Sequence, residues 1–337
     1  MIEWLDVEKE MPELPIIREA KTREEMIQKV KPERLKEIIL KLKEWKVSPA
    51  FVAHFFRKSR WLIKALLDQL CVERWTGRKL PTYPVISDKP FKAPGKVNGI
   101  ETIIIGVIPT PKLAYVIGWI VGDGAVRSGT GKLNDRVVIY QSSLDLIPVI
   151  AAALRPFGTP ILYWQLGFKG IGRFGKLLEG DEEKALHEGE KLYAQGKANI
   201  YTIYLSNVIL ARLCSFRGRW RRDVLKRLLR DWTLGGYFCA GLWDADGSVR
   251  GDGFPYLRLT DFELLKLLFT SFKKLRINAK EQKKVKKHVD VVGAIKIRSK
   301  RDCYYMPIVG GKPNWRKWGE HTGLKMRHPE KLKHVIT

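Results

Sequence analysis

Two aspartates stand in matching surroundings. Asp123 closes Ala114-Tyr-Val-Ile-Gly-Trp-Ile-Val-Gly-Asp-Gly-Ala-Val126, and Asp246 closes Tyr237-Phe-Cys-Ala-Gly-Leu-Trp-Asp-Ala-Asp-Gly-Ser-Val249. Aligned on Asp-Gly, the segments share a glycine five residues upstream (Gly118, Gly241), and duplication accounts for the pair. Two carboxylates at the C-terminal ends of adjacent helices repel one another and the negative helix ends. A divalent cation removes that cost. Asp oxygens together with nearby backbone carbonyls, here those of Gly122 and Ala245, are hard ligands that favour magnesium or manganese over zinc. Such a cation suits phosphodiester chemistry, where it lowers the pKa of an attacking water and stabilises charge on the leaving oxygen. One Asp-Gly alone reads as a turn; two copies, each ending the same apolar helix, read as a site.

The elements that must position these acids follow from spacing. Pro111 suits the first turn of one helix, and Gly124 and Gly247 suit the two exits. Small residues recur four apart, Ala114, Gly118 and Gly122 in one segment and Gly241 and Ala245 in the other, so each set lies on one helix face. Faces that small make sense if the two helices approach closely, each against the other. After the first segment, residues 136–141 are strand-like and 143–157 helical; after the second, 256–260 and 262–275 repeat that order, with Phe262, Leu265, Phe269 and Phe272 spaced for one face. Alternation turns Leu257 and Leu259 inward and Tyr256 and Arg258 outward, and likewise Gly293, Ile295 and Ile297 against Lys296 and Arg298.

Cys239-Ala-Gly-Leu-Trp-Asp-Ala-Asp-Gly247 resembles the LAGLIDADG signature in all but its first and fifth letters, and Val116-Ile-Gly-Trp-Ile-Val-Gly-Asp-Gly124 is a more divergent copy. Over roughly residues 100–310 the chain resembles a monomeric, two-repeat LAGLIDADG homing endonuclease. The resemblance implies an α+β fold: a pseudo-symmetric αββαββα duplication forming a saddle of strands, preceded here by a small helical domain. It also implies intron mobility and metal-dependent cleavage of both strands of a long asymmetric DNA site, with Mg2+ or Mn2+ held by Asp123 and Asp246. A basic residue beside each metal site is a further implication. Lys296 is the second-half candidate for a catalytic role, while the strand taken as its first-half counterpart, 201–206, holds no lysine and leaves Lys169 as a substitute.

The chain has 337 residues and a net charge of +26, which nominates nucleic acid as partner. Residues 271–337 are the most basic part, with 19 Lys and Arg against 5 Asp and Glu. Residues 1–76 read as a helical, helix-turn-helix-like domain: Val47-Ser48-Pro49 opens a short helix, Ser59 caps the next, and Arg60, Trp61 and Lys64 face outward toward a major groove. Residues 77–99, rich in Pro and Gly, read as a linker. The first repeat is assigned to 100–216, a connector carrying Arg217, Arg219, Arg221 and Arg222 to 217–233, the second repeat to 234–310 and a basic tail to 311–337. Further candidate DNA contacts are Arg127, Arg136, Tyr140, Gln141, Arg250, Lys284 and Lys286, beside Arg219, Arg222, Tyr256, Arg258 and Arg298. Four scattered cysteines exclude a disulfide framework and a zinc cluster, and no apolar run reaches the ~20 residues of a membrane span. The expected setting is cytoplasmic and nucleoid-associated, with double-stranded DNA as partner. Two other readings share the fold: an intron maturase that binds RNA, and a DNA-binding regulator that does not cleave. The presence of both acids favours cleavage.

Overall fold

The computed structural model describes residues 2–4, 11–44, 49, 52–53, 56–73, 81–97, 100–127, 135–167, 169–216, 219–280, 283–285, 289–292, 295–298 and 303–335. The chain divides into two compact units, Met1–Ile108 and Pro109–Thr337.

The first unit contains α1 (Leu14–Glu19), α2 (Arg23–Val30), α3 (Pro32–Glu44) and α4 (Arg60–Gln69). Met11, Ile17, Met26, Leu35, Ile39, Leu42, Phe56, Ile63 and Leu66 are buried together in its core. Ser59 caps α4 by accepting from the Leu62 N–H at 3.1 Å, and Arg57 just before it takes the left-handed backbone (φ 54°) that turns the chain. Of the expected start of the preceding short helix, Val47 and Ser48 lie outside the described residues, while Pro49 is helical and Val52 and Ala53 are helical and buried. Lys58 donates from Nζ to the carbonyls of Arg18 and Ala20, so this cation closes the end of α1.

The expected linker is instead a sheet. β1 (Ile2–Trp4), β2 (Thr82–Ile86), β3 (Phe91–Val97) and β4 (Ile100–Val107) form four strands in the order β1-β3-β4-β2. Proline density misleads here because β2, which carries Pro84, is an edge strand, and Pro94 sits in β3 just past its pairing with β1, so neither ring removes an inner ladder bond. The boundary between units falls at Ile108, and the expected first-repeat start at residue 100 lies inside the first unit.

The second unit runs α5 (Pro111–Asp123), β5 (Gly124–Arg127), β6 (Arg136–Gln141), α6 (Leu146–Leu154), β7 (Ile161–Leu166), β8 (Lys169–Lys176), α7 (Glu182–Ala194), β9 (Ile200–Leu205) and α8 (Val208–Cys214). A short hairpin, β10 (Ser215–Phe216) with β11 (Arg219–Trp220), and α9 (Arg222–Leu228) lead to the second copy. That copy runs α10 (Trp232–Asp246), β12 (Gly247–Val249), β13 (Pro255–Leu259), α11 (Phe262–Lys274), β14 (Lys283–Val285), β15 (Val289–Val292), β16 (Ile295–Arg298), β17 (Cys303–Pro307) and α12 (Gly311–His321), then α13 (Pro329–Leu332). The sheet orders are β5-β6-β9-β7-β8 and β12-β13-β17-β14, with β15-β16 a separate pair. Both copies therefore follow αββαββα, each with an insertion between its third and fourth principal strands: β8 and α7 in the first, β15-β16 in the second.

This topology corrects two sequence readings. The counterpart of β9 is β17, not the strand carrying Lys296, which belongs to the inserted pair. The stretch assigned as connector, 217–233, does not end between repeats: α9 ends at Leu228, and the first helix of the second copy already starts at Trp232, where the Asp231 side chain accepts from the Leu234 N–H. In the basic tail, α12 completes the αββαββα order of the second copy and buries Trp318. The charged stretch 180–197 holds α7, whose Gly189 leaves room for the Trp164 ring; a Cβ there would meet it at 2.7 Å. Among the described residues no helix is long and apolar enough to cross a membrane.

Candidate active site

The acids are positioned by α5 and α10. Thr110 accepts from the Leu113 N–H to start α5 with Pro111 in its first turn, and both helices end where glycine begins a strand. The small-residue faces meet. A Cβ on Gly118 would stand 2.0 Å from the Phe238 carbonyl oxygen, one on Gly241 would stand 2.0 Å from the Tyr115 carbonyl oxygen, and one on Gly122 would stand 2.5 Å from the Ala245 Cβ. The two backbones thus touch through positions where only glycine fits, and the helix ends arrive together.

Asp123 and Asp246 are half-buried and their carboxyls are in hydrogen-bonding contact. Both carboxyls are pushed up, first by burial; the neighbouring Asp123 charge adds to the rise at Asp246. The Gln141 amide donates to Asp123 Oδ2 at 2.5 Å. Gly124 pairs with Ile139 and Gly247 with Leu257, so the second-half counterpart of Gln141 is Leu259 and Asp246 has no matching amide. Gln141, a candidate DNA contact, is bonded to an acid here.

Several participants have no advance warning in the sequence. Lys331 Nζ donates to the carbonyls of Trp243 (2.9 Å), Asp244 (2.7 Å) and Ala245 (3.3 Å), closing the end of α10. Its ammonium is held down by burial and up by Asp244, Asp123 and Asp246, which places all three acids within its field. Asp244 is fully buried and accepts from the Tyr115 hydroxyl at 2.5 Å and the Arg327 N–H at 2.7 Å, while the Arg327 guanidinium lies 4.6 Å from the Tyr115 ring centre. Burial pushes the Asp244 carboxyl up to about 6. The one available signal was Asp244 itself, a charge inside an apolar helix where the other copy has Val121.

Flanking the acids are strands with cationic and aromatic side chains. On the first sheet Arg127 contacts the Tyr140 hydroxyl, Arg136 lies 5.1 Å from the centre of the Tyr204 ring and Arg173 5.6 Å from that of Tyr163. On the second, Leu257 and Leu259 are buried while Arg258 is exposed beside Tyr256 and Tyr305, and Arg250 stacks on Phe254 and pairs with Asp252. The register sets Lys283 opposite Tyr305, in line with Arg258, and Lys284 opposite Tyr304, in line with Leu259. Arg298 and Lys296 lie on β16, Arg219 on β11, and Lys286 and Arg217 outside the described residues. Arg221 is buried, bonded to Asp223 and to the Arg212 carbonyl; Arg222 is exposed between Asp261 and Glu263. In the first unit Arg60, Lys64 and Trp61 are exposed, Trp61 at 79%.

No family model and no curated protein matches the chain. Among solved structures it is similar to the homing endonuclease I-WcaI bound to its DNA recognition sequence, at 13% identity over 67% of this chain and 86% of that one, TM-score 0.42. It is also similar to mesophilic variants of the homing endonuclease I-DmoI (18%, 59% and 83%, 0.37). I-DmoI in complex with DNA and Mn gives 18%, 59% and 89%, 0.34.

Proposed function

We propose that the chain is a site-specific double-stranded DNA endonuclease of the LAGLIDADG homing type, using Mg2+ or Mn2+. The observation that carries this reading is the contact between Asp123 and Asp246 at the ends of two helices locked backbone to backbone. An acid pair that must share a proton when alone has a ready use for a cation. The donor set fits a hard ion: two carboxylates and last-turn carbonyls, with no cluster of three or more His, Cys, Asp or Glu among the described residues. A bound divalent ion would lower the pKa of an attacking water and stabilise the leaving oxygen.

The protein's own residues do the rest. Gln141 orients Asp123. The arginine and tyrosine side chains of the two sheets supply phosphate contacts and stacking surfaces, and one chain carries both halves, which suits a monomer on an asymmetric site. Arg60, Trp61 and Lys64 add a contact in the first unit.

The test is cleavage of a library of DNA sites in Mg2+, with the cut ends sequenced. Asp246→Asn keeps the fold and DNA binding and slows at least one strand about a hundredfold or more, since even outer-shell changes cost about 10–100-fold. Double-strand cutting by the Asp123→Asn, Asp246→Asn protein at the wild-type rate refutes the proposal.

A further inference from the structure

We infer that the C-terminal segment supplies a resident positive charge to the acid pair: Lys331, pinned on the last carbonyls of α10, is a positioning residue that weakens the pair's hold on a divalent cation. This rests on the reading that Asp123 and Asp246 bind such a cation. The last carbonyls of a helix have no partner within the helix and are ordinarily left to water or a cap. Here three carbonyls of the last turn converge on one ammonium, whose three protons match three acceptors: those of Asp244 and Ala245, and that of Trp243, which also accepts from the Gly247 N–H. The arrangement is one-sided: among the described residues no side chain donates to the carbonyls of Val121 and Gly122, which end α5.

The ammonium is brought there by contacts that do not depend on it. The Arg327 N–H bonds to Asp244 Oδ2 at 2.7 Å, and the Arg327 guanidinium stacks on Tyr115 of the other helix, so the segment is docked across both repeats before α13 begins. With Lys331 in place the two acids face one positive charge already, and the Ala245 carbonyl, a ligand candidate, is engaged. The resting protein therefore takes up a divalent ion weakly, and the phosphate oxygens of DNA restore the missing negative charge.

Calorimetric titration of the full-length protein with CaCl2, without DNA and at pH 8.5, tests this. Lys331→Gln keeps a donor for the carbonyls and removes the charge; it binds Ca2+ about tenfold more tightly, the scale set by one unit charge acting across a partly buried site. Lys331→Arg keeps the charge and stays within about twofold of wild type. Lys331→Met, which retains the packing length, repeats the Gln result if Gln perturbs folding, as judged by melting. Unchanged or weaker Ca2+ binding in both neutral variants overturns the inference. Titration of Asp123→Asn, Asp246→Asn separates the two claims: Ca2+ heat that persists there refutes the acid pair as the cation site, whereas heat that vanishes there while Lys331→Gln matches wild type refutes only the role of Lys331.

Discussion

Replacing Gly118 or Gly241 by alanine adds one methyl group to each helix interface, and the structure fixes what that methyl meets. At either position the new Cβ would lie 2.0 Å from a backbone carbonyl of the opposite helix, against 3.4 Å where ordinary contact begins, so the helices must part by about 1.4 Å. Carbonyls inside a helix cannot rotate away as a side chain would, which puts the cost at the upper end of overpacking, ~3 kcal/mol. Alanine returns ~1 kcal/mol through its better helix propensity. The steric term wins by ~2 kcal/mol, which lowers Tm by ~4–8 °C in a unit the size of Pro109–Thr337. Gly251, with nothing within 4 Å of its virtual Cβ, is the control, and Gly251→Ala melts within ~2 °C of wild type. Scanning calorimetry of the three variants gives the comparison. Because a site of this kind tolerates only ~0.5 Å of misplacement, the same variants lose Ca2+ binding at the acid pair. Gly118→Ala and Gly241→Ala proteins that melt at or above the wild-type temperature refute the backbone-contact account.

Two further outcomes follow from the site. The Asp246 carboxyl is raised to about 7 by burial and Asp123, so the metal-free fold binds protons that the unfolded chain releases; that stability is present below the ordinary carboxylate range and lost as pH climbs through about 7. Mg2+ therefore raises Tm more at pH 8 than at pH 5, and Asp246→Asn removes the difference; a pH-independent Mg2+ effect in the wild type contradicts this. Lys296 lies on the inserted pair β15-β16 and not on the counterpart of β9, so Lys296→Ala weakens DNA binding and leaves the single-turnover rate of both strands unchanged. Slowed cleavage of one strand at unchanged affinity, with nicked DNA building up first, refutes that placement and makes it a catalytic residue.

How much of this was legible depends on how local the cause is. The helix ends, Pro111, the Asp-Gly exits and the four-residue spacing of small side chains are all written within local windows, fourteen residues from Pro111 to Gly124, and the duplication itself exposes them. Strands β6 and β13 and the helix α11 likewise follow from short-period patterns, although α11 turns Leu264, Leu265, Leu268 and Phe272 inward and leaves Phe262 and Phe269 only partly covered. The misses have non-local causes. Whether a proline disrupts a strand depends on which neighbours pair with it, so Pro84 and Pro94 read as linker although they lie in a sheet. Lys331 approaches the α10 carbonyls from 86 to 88 residues away, and no period or motif connects them.

The duplicated frame also shows where the two halves were free to diverge. The backbone contacts of α5 and α10 bind the halves reciprocally: Gly118 faces the Phe238 carbonyl and Gly241 faces that of Tyr115, so neither glycine can change without pushing on both helices. No such reciprocity ties the groups around each acid. Asp123 has Gln141 where Asp246 has Leu259, and the end of α10 has Lys331 where the end of α5 has no side-chain donor among the described residues. Position is thus held in common while charge and hydrogen bonding are set separately on each side. Under the proposed cleavage of an asymmetric duplex that is the useful division, because the two acids would stay together as a pair while each served a different strand in a different local field.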